Sequence, residues 1–139
     1  MKKQKNRIIL DTNLWISFLL TKNLSNFDTI MANGKVSLLF SQELLTEFIE
    51  VTQRSKFRKY FNAADLDALL LKIKGRANYI SVKSKVTVCR DPKDNFLLAL
   101  ALDGKATHLI TGDKDLLILK NYRKTKILSI AEYAAEVGV

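Results

Sequence analysis

The sequence predicts an α/β fold with a mostly parallel sheet, and three observations carry that expectation. Short β-rich segments alternate with segments of helical periodicity along the chain. RIILD reads as a short buried strand, and VSLLF is β-rich enough for a second. Hydrophobic residues make up 47% of 139 residues, enough for one domain over 1–139 with its own core.

Each element has a local reason. Arg7 to Asp11 reads as a buried strand, and Asn13 to Leu20 as a helix with apolar contacts from Leu14, Ile16, Phe18 and Leu19. Ser25 to Asn33 reads as a second helix, with Ser25 as N-cap and Gly34 as its stop. Val36 to Phe40 is the second strand. Ser41 caps a helix through about Arg54, with Leu44, Phe48 and Val51 on one face and Glu47 at its border. Asn62 opens a helix from Ala63 to about Asn78, and Tyr79 to Val82 is a third short strand. Lys83 to Thr87 is a loop. Asp91 and Pro92 start a helix that carries Asp94 in its first turn and stops at Gly104. Thr107 to Thr111 is a strand, Lys114 to Leu119 a short helix and Lys126 to Leu128 a last strand. Ser129 caps a final helix to about Val137. No internal repeat or linker interrupts this order.

Composition excludes several classes. The longest apolar runs, such as Leu97 to Leu102, are too short to span a bilayer. The N-terminus begins like a signal peptide, but Asp11 and Asn13 interrupt its apolar stretch and no small-residue cleavage site follows, so a cytoplasmic protein is expected. With one cysteine, Cys89, the chain forms no internal disulfide and no thiolate zinc site. A Cys/His nucleophile would rest on Cys89 and the single histidine, His108, and has little support. A phosphatase or nucleotide-binding protein lacks its G-x-G-x-x-G, Walker A or cysteine phosphate loop.

The formal net charge is +9, spread over Lys2 to Arg7, the RSKFRK run from Arg54 to Lys59, Lys72 to Arg76, and Arg123 to Lys126. Such a distribution suits contact with a phosphate backbone. Within this basic chain, Asp11, Glu47, Asp94 and Asp113 sit where strands end or helices begin. In an open parallel sheet, sites form outside the carboxyl ends of the strands, so Asp11, Asp94 and Asp113 can converge there. Glu47 must reach them from the helix after the second strand. Gathered carboxylates persist mainly where a cation neutralises them. Each also has a structural reading: Asp11 as an N-cap, Asp94 as a helix-dipole partner, Asp113 as a turn residue, Glu47 as a solvated helix residue. One shared site explains all four together.

The segments IILDTNLWISFLL, LLTEFIEV and RDPKDNFLLALALDGKATHLITGDKDLL resemble the PIN-domain family of metal-dependent ribonucleases, in particular the VapC-type toxins of toxin–antitoxin systems. The resemblance spans essentially the whole chain. It implies a three-layer α/β/α sandwich with a central parallel sheet of four or five strands. It further implies that Asp11, Glu47, Asp94 and Asp113 form the catalytic metal site, with Asp115 as a further acidic ligand. Thr12, Asn13 and Thr111 sit where the family places supporting polar groups, whereas Asp91 is better read as a helix cap. Oxygen-only ligation suits Mg²⁺ or Mn²⁺. The expected reaction is endonucleolytic hydrolysis of RNA by activated water, with a 5′-phosphate product. The expected partners are RNA, an antitoxin protein and a second copy of the chain. The other reading is a catalytically silent nucleic-acid-binding module on the same fold, which the complete acidic quartet disfavours. Lys114, Arg90, Lys93 and Arg54 are candidate phosphate contacts. His108 reads as packed or capping within its strand, and Trp15 and Phe18 as core or dimer contacts.

Overall fold

The computed structural model describes residues 6–21, 28, 31, 36–60, 62–75, 77–88 and 94–137. Among these, one sheet contains β1 (Asn6–Leu10), β2 (Val36–Phe40), β3 (Ala77–Tyr79), β4 (His108–Ile110), β5 (Asn121–Tyr122) and β6 (Thr125–Leu128), in the order β3-β2-β1-β4-β6-β5. All neighbouring pairs are parallel except β5 with β6. The helices are α1 (Thr12–Thr21), α2 (Gln42–Thr52), α3 (Ser55–Arg58), α4 (Ala63–Lys74), α5 (Asn95–Gly104), α6 (Lys114–Leu117) and α7 (Ile130–Val137).

From β1 in the middle of the sheet the chain steps outward through β2 to β3, and then returns to β4 on the other side of β1. Right-handed crossovers in these two opposite directions put helices on both faces of the sheet. Accordingly, β2 and β4 are buried along their whole length, and β1 over Ile8 to Leu10. In the core α1 packs against α2 and α4, while α5 packs against β1 and β2. Trp15 anchors the first group, with ring centroids 5.7 Å from Phe18, 5.5 Å from Phe40 and 6.4 Å from Phe48. Trp15 and Phe18 are therefore core residues, both buried. No described helix is long and apolar enough to cross a membrane.

The helix starts follow local capping chemistry. The Ser41 side chain accepts from the Leu44 amide at 3.1 Å. Asn62 and Asp65 form a reciprocal capping box. Ser129 and Glu132 form another, with amide contacts of 3.0 and 3.2 Å. At the end of α5, Lys105 adopts a left-handed conformation (φ 53°). Gly104 just before it packs so closely on the sheet that an added Cβ would lie 2.9 Å from Leu39 Cδ1.

Several boundaries differ from those the sequence predicts. The helix opened by Asn62 stops at Lys74 rather than Asn78, and the third strand is Ala77–Tyr79 rather than Tyr79 to Val82. Pairing with Leu38 to Phe40 of β2 sets that register. The four or five parallel strands are five, joined by a sixth, antiparallel strand, β5, that hairpins onto β6 through a turn with Arg123 at φ 54°. The RSKFRK run contributes a separate helical turn, α3. The helix expected over Ser25 to Asn33 lies largely outside the described residues. So do Cys89, Arg90, the Asp91–Pro92 helix start and Lys93.

Candidate metal centre

The sheet reverses its strand order between β1 and β4, and the crevice outside their carboxyl ends is where a site forms in such a fold. Each of these strands extends its ladder by one residue. The Asp11 amide donates to the Ile110 carbonyl at 3.0 Å, and the Thr111 amide to the Leu128 carbonyl at 2.9 Å. Asp11 and Thr111 are thereby fixed side by side at the crevice mouth.

Asp11 is buried, and both its oxygens are used. Thr111 Oγ1 donates to Oδ2 at 2.6 Å, and the Asn13 amide donates to Oδ1 at 3.2 Å. The second contact caps α1, so Asp11 serves the helix as well as the crevice. Asn13 acts here through its backbone, its side chain being exposed. Burial pushes the Asp11 carboxyl above its ordinary range. The Thr111 hydroxyl and the Asn13 amide oppose that rise, and the negative charge of Asp113 adds to it.

From Thr111 the network continues to the loop after β4. The Asp113 amide donates to Thr111 Oγ1 at 3.0 Å, and Asp113 Oδ1 accepts from the Asp115 amide at 2.8 Å, capping α6. The three carboxylates of Asp94, Asp113 and Asp115 converge, each offering one oxygen, with these oxygens within 4.8 Å of one another. Asp94 reaches the group from the N-terminal end of α5. It occupies the cap position, one residue before the helix, without capping it through its side chain. Asp115 thus belongs to the cluster while also occupying the first turn of α6.

Glu47 lies outside that close group. It is half-buried on α2, where its Oε2 accepts from Thr12 Oγ1 at 2.6 Å. Thr12 follows Asp11, so this bond ties α2 to the crevice strand. The structure therefore arranges the five acidic residues as a tight trio, a buried neighbour coupled to it through Thr111, and a fifth held through Thr12. Nothing in the local sequence pairs Thr12 with a residue 35 positions away.

The remaining candidates separate. Lys114 is exposed between Asp113 and Asp115, and Arg54 is exposed after the end of α2. His108 is buried at the opposite end of β4, 2.5 Å from Glu136 Oε2 and 2.7 Å from Thr107 Oγ1.

The PIN domain family matches residues 7–115. Uncharacterized protein MJ1680 of Methanocaldococcus jannaschii is 31% identical over 127 residues, covering 89% of this chain and 81% of that relative. In fold, the chain is similar to one in the crystal structure of VapBC2 from Rickettsia felis bound to a DNA fragment from their promoter. The TM-score is 0.60 at 15% identity, over 87% of this chain and 96% of that chain.

Proposed function

The chain belongs to the PIN-domain family, and from that premise we propose that it is a metal-dependent endoribonuclease acting as the toxin of a toxin–antitoxin pair. PIN domains are generally nucleases that use divalent metals. The observation that carries the reading is the convergence of Asp94, Asp113 and Asp115 within 4.8 Å.

The donor set fits the metal. Carboxylate oxygens without histidine or thiolate suit hard cations, Mg²⁺ or Mn²⁺, over zinc. In this reading Asp94, Asp113 and Asp115 hold the cation, and Asp11 and Glu47 complete the acidic surround. When bound, the cation supplies Lewis-acid activation of water and neutralises charge on the phosphate.

The chain's own residues supply orientation. Thr111 fixes the Asp11 carboxylate and receives the Asp113 amide. Thr12 fixes Glu47. The carboxylates are thus oriented before any ligand arrives, which lowers the reorganisation cost of the reaction. The basic exterior attracts the RNA backbone toward an acidic centre that would repel it without a cation. The VapC-type resemblance and the VapBC2 neighbour support an antitoxin protein as partner. In the same reading the chain is a homodimer working in the cytoplasm.

The test is incubation of the purified protein with total RNA in Mg²⁺, Mn²⁺ or EDTA, followed by end-mapping of products. The expected result is cleavage in either metal, none in EDTA, and 5′-phosphate ends. RNA binding with no turnover in either metal would instead establish a silent binding module.

A further inference from the structure

A cleft of about 340 Å³ is lined by Glu43, Lys83, Lys85, Val86, Asn95 and Phe96 among others, and by none of the five acidic residues themselves. Its position follows from the elements already described. Asn95 is the residue after Asp94. Glu43 stands one helical turn before Glu47 on α2, so the two share a face. The cleft therefore adjoins the centre through two of its acidic elements. The cleft is also lined by residues 82–86 of the segment 80–88, in which Lys83 and Lys85 are exposed while Val82, Ser84 and Val86 are half-buried.

That segment is held in place. Asp103 on α5 accepts from the Lys83 amide at 2.6 Å and the Ser84 amide at 2.9 Å, and also from the Ser84 hydroxyl. The three bonds fix the backbone at Lys83 and Ser84, which lowers the cost of ordering that part of the chain when a ligand binds. Phe96 contributes a half-buried aromatic side chain to the cleft. Two cations and an aromatic ring match a single-stranded nucleotide, with phosphate for the lysines and a base for the ring; the nearby carboxylates are Glu43 on the rim and Asp103 at the Lys83 amide.

We propose that this cleft is the subsite for the nucleotide next to the scissile phosphate, Lys83 and Lys85 contacting the backbone and Phe96 stacking on the base. The inference rests on the ribonuclease reading and adds where the strand runs on leaving the acidic centre: between α5 and the segment 80–88.

The test is fluorescence anisotropy of a fluorescein-labelled single-stranded RNA hexamer, titrated in EDTA at several salt concentrations. Lys83→Ala/Lys85→Ala should flatten the dependence of log K on log salt by about 1.4, the effect of two lost phosphate contacts on a single strand. Phe96→Leu retains an apolar side chain and loses the ring; it should bind about five- to ten-fold more weakly with an unchanged salt slope. Lys105→Asn, in a separate cleft of about 620 Å³ and outside the basic runs named above, should leave the slope as in wild type. Thermal unfolding of each variant separates loss of binding from loss of fold.

If both cleft variants match wild type while wild type cleaves RNA in Mg²⁺, the subsite is wrong and the nuclease stands. If wild type never cleaves but binding depends on Lys83, Lys85 and Phe96 as stated, the cleft is an RNA site and the nuclease reading falls.

Discussion

The two ends of the central strands treat charge in opposite ways. At the amino ends of β1, β4 and β6, charges are paired with opposites. Glu136 on α7 lies 2.5 Å from both His108 Nε2 and Lys126 Nζ, and the His108 ring stacks edge-on against Tyr133. The Tyr133 hydroxyl accepts from Asn6 at 3.0 Å, and Arg7 donates to the Gly104 carbonyl at 2.8 Å. At the carboxyl ends, like charges are brought together: Asp94, Asp113 and Asp115 converge, and Asp11 is buried beside them. The first arrangement contributes stability. The second costs it, and such cost is retained where a ligand or a reaction requires it.

That contrast can be broken from either end, and the largest effect should come from the acidic one. Asp94→Asn or Asp113→Asn should lower RNA cleavage by about 100-fold or more, since several kcal/mol of charge stabilisation depends on the cation. Asn preserves the cap that Asp113 provides to α6, so Tm should stay within a few degrees of wild type. A single-turnover cleavage assay beside a thermal melt reads both quantities.

At the other end, His108→Ala removes a buried ring and leaves Glu136 with Lys126 alone. The expected cost is roughly 2 kcal/mol, a Tm loss on the order of 5–10 °C, with cleavage per folded molecule unchanged. A loss of cleavage in the folded fraction would mean that the two ends are coupled.

Asp11→Asn should do the reverse. Burial raises the Asp11 carboxyl, so the native state binds that proton more tightly than the unfolded chain does. Stability therefore falls as pH rises from the ordinary carboxylate range through the native value, and the penalty is complete above it. A neutral isostere removes the penalty. Metal-free Asp11→Asn should melt a few degrees higher than wild type near neutral pH, lose that segment of the pH dependence, and have little nuclease activity.

The smallest effect belongs to Glu136→Gln. The bonds from Lys126 and His108 hold the Glu136 carboxyl below its ordinary range, so its stabilisation is present above the unfolded value and lost as pH falls through the native one. The side chain is a third exposed, and solvent screening limits the change near neutral pH to less than about 1 kcal/mol. Urea unfolding at neutral and acidic pH would show the variant and wild type converging as pH falls.

The two ends were also unequally legible in the sequence. Asp11 and Asp113 were readable because an acid at the end of an apolar strand is a local signal, and the parallel sheet then aligns such ends. The caps Ser41, Asn62 and Ser129 were readable for the same reason: cap chemistry acts over three residues. The Thr12–Glu47 bond and the His108–Glu136 pair join residues 35 and 28 positions apart, and only the folded packing creates them. The third strand shifted because its register is set by β2, and β5 went unread because two residues carry no periodicity. Asp103 read as the end of a helix; its grip on Lys83 and Ser84 depends on a segment that returns across α5.

As a cation site, the like charges at the carboxyl end should bind a divalent ion without RNA present. Mn²⁺ binding followed by electron paramagnetic resonance, on wild type and Asp94→Asn/Asp113→Asn at matched Tm, tests it most directly. Wild type should bind Mn²⁺ saturably, and the double variant should lose that binding. Identical isotherms for the two proteins would contradict it.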